Sequence, residues 1–89
     1  MKIRNDDLGK LNELKLDFLS PPYSFRLNMI AMGYLNNTID IFNKYVDENN
    51  SYIEELREIK NTIESTSDMS VLKELCKRAA AIITAFTLA

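Results

Sequence analysis

The sequence predicts an all-α fold: a small antiparallel four-helix bundle with a long central helix 2. Three observations predict it. Apolar residues recur at helical spacing through most of the chain. Gly and Pro number only two each, which leaves little material for turns and favours few, long elements. Polar breaks fall near residues 17–22, 47–50 and 64–70, dividing the chain into four segments. At 89 residues these make one domain, of a size that buries a modest fraction of its surface and often leans on a partner or a second copy.

Residues 1–5 read as a loose tail. The first helix is expected over 7–19, capped by Asn5 or Asp6, with Asp7 favourable at the positive helix end. Leu8, Leu11, Leu14, Leu16, Phe18 and Leu19 supply its apolar side. Helix 2 is expected over 21–48, with Ser20 as N-cap and Pro21 at the first helical position. Leu27, Ala31, Tyr34, Leu35, Thr38, Ile41, Phe42, Tyr45 and Val46 share one broad face; Arg26, Gly33, Asn36, Asn37, Asp40, Lys44 and Asp47 share the other. Gly33 and Asn36–Asn37 weaken the middle. Helix 3, over 52–64, starts at a capping-box pattern, Ser51-Tyr52-Ile53-Glu54. Its stripe is narrow: Tyr52, Leu56, Ile59 and Ile63, with Ile53 to one side. Helix 4 is expected over 69–87, capped by Ser67 or Asp68, with Leu72, Leu75, Cys76, Ala79, Ile82, Ile83 and Phe86 on one face.

Two sets of apolar residues stand outside this plan. Phe25, Met29 and Met32 form a second stripe on or beside the polar face of helix 2. Either helix 1 packs over it or a partner protein uses it. After Arg78 the polar face of helix 4 disappears, and Ala81, Ala85 and Leu88 take its place. A second copy, another protein or the bundle itself is expected to cover that end.

Composition narrows the chemistry. The net charge is −2, from 11 Lys and Arg against 13 Asp and Glu. No segment is a basic block, which argues against a main role on duplex nucleic acid or as a polybasic membrane anchor. Arg57, Lys60, Lys73, Lys77 and Arg78 are the one basic cluster to name. No histidine is present, which removes the commonest general base and metal ligand. The single cysteine, Cys76, sits on an apolar face and reads as a buried structural thiol. Zinc ligands and a glycine-rich phosphate loop are missing. Asp6–Asp7 and Glu54–Glu55 are adjacent in sequence and diverge on a helix, so neither forms an acid–base pair. No cofactor is implied.

The N-terminus is charged and lacks the apolar core of a signal peptide, and the apolar run 79–89 is too short to span a bilayer. A cytoplasmic location is the expectation, with no membrane partner. The abundance of Asn, Ile and Lys fits an A+T-rich genome of the kind many phages and low-G+C bacteria carry. The functional expectation is a small non-enzymatic protein-binding module (adaptor, inhibitor or regulatory subunit) that self-associates through helix 4. The alternatives are a small dimeric nucleic-acid-binding regulator using the basic cluster, and a helical oligomer that sequesters a small ligand.

Overall fold

The computed structural model describes all residues, Met1–Ala89. It contains four α-helices and no strand: α1 (Asn5–Leu19), α2 (Leu27–Phe42), α3 (Ser51–Glu64) and α4 (Met69–Leu88). α2 and α4 lie at the middle of the bundle, each packed on the other three helices, while α1 and α3 flank them without touching one another. The apolar faces of all four merge into one core, centred on Leu11, Phe18, Leu27, Leu35, Phe42, Leu56, Ile83 and Phe86. No helix is long and apolar enough to cross a membrane.

α1 begins at Asn5, two residues earlier than expected, and its cap is neither Asn5 nor Asp6. The N-cap residue is Arg4, in extended conformation and without a side-chain cap bond. Asp7 therefore sits inside the first turn, and it is buried. Leu11, Leu14 and Phe18 enter the core, while Leu16 and Leu19 face solvent.

α2 is much shorter than the 21–48 span. Its start fails for a local reason. Each residue before a proline is pushed out of the helical region, and here both Ser20 and Pro21 precede one. Pro21 cannot serve as the first helical residue with Pro22 behind it. Ser20 instead closes α1, its N–H donating to the Leu16 carbonyl. The chain enters α2 through a turn at Ser24, whose Oγ accepts from the Arg26 N–H at 3.1 Å and whose carbonyl accepts from Leu27 at 3.1 Å. Once begun, α2 runs unbroken through Gly33, Asn36 and Asn37, all of which face water. It stops at Phe42. Lys44 and Tyr45 then donate to carbonyls three residues back, tightening the chain into turns.

The predicted capping box at Ser51 is displaced by one residue. Asn50 is the N-cap of α3, and its Oδ1 accepts from the Tyr52 N–H at 2.9 Å. Asn caps as well as Ser does, so the preceding turn, with Asn50 N–H on the Asp47 carbonyl, decides between them. α4 is capped as expected by Asp68, which accepts from Ser70 and Val71. With 20 residues it is the longest helix. Phe86, near its end, stacks on Phe42 of α2 with ring centroids 3.7 Å apart. The C-terminal turns of α4 thus belong to the core on one side. Buried side-chain nitrogen and oxygen atoms all have partners.

Candidate interaction surface

Six of the eight aromatic side chains are packed. Phe18, Phe42 and Phe86 are fully buried, and Tyr34, Tyr45 and Tyr52 pack against the core edge. The remaining two, Tyr23 and Phe25, stand in the connection between α1 and α2 and are 86% and 89% exposed. Met29, in the first turn of α2, is 68% exposed, and Leu19, at the end of α1, also faces solvent. One stretch of 11 residues, Leu19 to Met29, therefore holds four large apolar side chains in water. The double proline accounts for the middle of it, keeping Tyr23 and Phe25 out of a helix so that no helical face turns them inward, while Leu19 and Met29 lie on outward faces at the end of α1 and the start of α2.

Of the three residues expected as the first interface, Phe25 and Met29 lie on this surface. Met32 does not: it is half-buried and packs on the core. α1 leaves the outer part of the stripe uncovered. Of the second set, Ala81, Ala85 and Leu88 are all exposed on the outer face of α4, with Leu88 82% exposed. The inner face of those same turns carries Ala79, Ala80, Ile82, Ile83 and Phe86 into the core.

Two cations cover the exposed rings. The Arg26 guanidinium lies 5.5 Å from the Phe25 ring centroid, and Lys73 Nζ lies 5.0 Å from that of Tyr23. Lys73 and Lys77 of α4 meet Phe18, Leu19, Pro21 and Tyr23 around an open hollow of about 280 Å³. The basic cluster is thereby divided. Arg57 pairs with Glu48 at 3.6 Å in the connection before α3, whereas Lys73 and Lys77 face the connection after α1. Lys60 is half-buried and Arg78 exposed.

A second polar feature ties the N-terminal turn of α1 to the end of α2. The buried Asp7 carboxylate accepts from Lys44 Nζ at 3.0 Å and from the Tyr45 hydroxyl. Tyr45 Oη in turn accepts from the Arg4 N–H at 3.1 Å. The Tyr45 hydrogen bond, then the Lys44 contact, hold the Asp7 carboxyl below its usual range despite burial. The same bond to Asp7, with burial, raises the Tyr45 phenol. The Asp7 carboxylate and the Tyr45 hydroxyl are both engaged within the chain, which makes this node a latch. Beside it an open groove of about 450 Å³ runs between α1 and α2, with Lys10, Glu13, Asp17, Asp40 and Lys44 along its edges. Charges of both signs line it, and no apolar anchor is offered beyond Leu14, Tyr34 and Ile41.

Cys76 is buried in the core, and burial raises its thiol pKa. No group of three or more His, Cys, Asp or Glu side chains is placed to hold a metal ion. Sequence periodicity had no means of joining Lys73 and Lys77 to Tyr23, or Lys44 and Tyr45 to Asp7, since each pairing spans more than 35 residues. The one readable signal was Pro21–Pro22, whose second proline forbids the helix start that the first suggests. No family model matches the chain, and neither the curated proteins nor the solved structures give a match.

Proposed function

We propose that this chain is a small non-enzymatic protein-binding module, an adaptor, inhibitor or regulatory subunit acting in the cytoplasm. It presents the α1–α2 connection to its partner. The observation that carries this reading is the contrast among the aromatics: six are packed, and the two left in water are near neighbours on one connection. Phe, Tyr and Met are enriched at the core of protein interfaces, and Tyr is among the residues that carry most of their binding energy. The bundle behind them is read as antiparallel, with connections spanning residues 20–26, 43–50 and 65–68.

Self-association through α4 is the second part of the proposal. Ala81, Ala85 and Leu88 recur on one face at spacings of four and three; the two alanines let a second helix approach closely and Leu88 offers it an apolar contact. The test combines two measurements on variants whose helicity is first checked by circular dichroism. Light scattering over a concentration series should show an oligomer that Leu88→Asp or Ala85→Asp dissociates. Affinity capture from the native host should yield a partner that Phe25→Asp or Met29→Asp loses while Leu88→Asp retains it. A monomer at every concentration removes the self-association claim. Capture unchanged by Phe25→Asp and Met29→Asp removes the docking claim.

A further inference from the structure

The hollow beside Tyr23 carries positive charge that the chain itself leaves unmatched. Lys73 and Lys77 stand four residues apart on α4 and so share a face. The ion pairs in the structure are Arg4 with Asp6, Lys44 with Asp7, and Arg57 with Glu48. Lys73, Lys77 and Arg26 take part in none of them, and no carboxylate lines the hollow. Beside the two ammonium groups lie the apolar faces of Leu19, Pro21 and Tyr23.

We infer that the hollow receives an acidic segment of the partner protein, with an Asp or Glu carboxylate between Lys73 and Lys77 and an adjoining apolar side chain on Tyr23 and Leu19. The inference rests on the protein-binding reading above and names the chemistry of the partner. Charge complementarity of this kind steers encounter and selects among partners. Two other anionic surfaces fit less well. A bilayer would have to take in Tyr23 and Phe25, yet each ring already has a cation over it that would be dragged from water. Three cations on an acidic chain also make a weak anchor for anionic lipid. Duplex nucleic acid needs many phosphate contacts in a row, and the rest of the basic cluster is spent elsewhere or points away from the hollow.

The test is a selection of random displayed peptides on the full-length chain, followed by NMR titration of the selected peptides into ¹⁵N-labelled protein. The expected result is enrichment of peptides with Asp or Glu next to Leu, Phe or Tyr. Their amide shift changes should centre on residues 19–25, Lys73 and Lys77. The double variant Lys73→Glu, Lys77→Glu alters exposed side chains only, and it should bind such a peptide roughly tenfold or more weakly. It should bind the peptide's Glu→Lys counterpart better than the unaltered chain does. Enriched peptides without acidic bias, bound equally by the double variant but lost on Phe25→Asp, would overturn the inference and leave the docking reading standing. Peptides indifferent to both sets of changes would overturn both. Equal perturbation of Lys73 and Lys77 by inorganic phosphate alone, or by phosphatidylserine vesicles, would also overturn the choice of an acidic protein segment.

Discussion

Replacing Phe86 with Ala, and Leu88 with Ala in a separate variant, sets two neighbouring positions of α4 against each other. Phe86 is fully buried. Its ring stacks on Phe42 at 3.7 Å between centroids, with the planes 9° apart, and meets Tyr52 edge-on at 5.7 Å. Removing a packed Phe side chain from a core costs about 3–5 kcal/mol. A domain of this length has a total stability of roughly 4–13 kcal/mol, so the loss is a large share of it. With a urea m-value of about 1.5 kcal/mol/M, the midpoint should fall by roughly 2–3 M. Leu88, two residues on, points into water, and its truncation should stay within about 0.5 kcal/mol in the monomeric state. The assay is urea unfolding followed by circular dichroism, at protein concentrations where light scattering shows a monomer. If Phe86→Ala does not fold at all, Phe86→Leu keeps the comparison open, at a cost of about 1–3 kcal/mol from changed shape and lost ring contacts. Equal effects at the two positions, or a Phe86→Ala loss below about 1 kcal/mol, would refute the claim that the last turns of α4 belong to the core on one face only.

The Asp7 latch gives a pH dependence of known sign. Its folded pKa lies below the ordinary value of 3.8, so its contribution is fully present above that value and is lost as pH falls through the folded pKa. Urea midpoints measured from neutral to strongly acidic pH should therefore show a steeper acid limb for the unaltered chain than for Asp7→Asn; parallel limbs would remove the latch. The cap of α3 is tested by Asn50→Ala, which should cost about 1 kcal/mol, against Ser51→Ala, which should cost a few tenths; the reverse order would restore the capping box at Ser51. Cys76 should react with a thiol reagent only when the chain unfolds, since it is buried and its thiol pKa is raised. Reaction in native buffer at the rate seen in urea would place it outside the core.

What the sequence determined by itself was local. Apolar periodicity marked four helices and most of the core face of each, from Leu27, Ala31 and Leu35 on α2 to Ile82, Ile83 and Phe86 on α4. Asp68 was legible as a cap because its bonds close within three residues. Phe25 and Met29 were legible as misfits of the pattern, and the structure leaves both in water. The start of α2 was also a local matter, settled by Pro22 acting on Pro21. Tertiary structure decided the rest. Met32 shares its stripe with Phe25 and Met29, yet packing drew it to the core edge. Asp7 reads as a helix-dipole residue until α2 ends beside it and supplies Lys44 and Tyr45. Lys73 and Lys77 read as part of one basic cluster with Arg57, Lys60 and Arg78 until the α1–α2 connection lays Tyr23 against them. The physical reason is range. Hydrogen bonds and rotamer limits within one turn are written in neighbouring residues, whereas charge and apolar surface acquire their partners only when the helices pack.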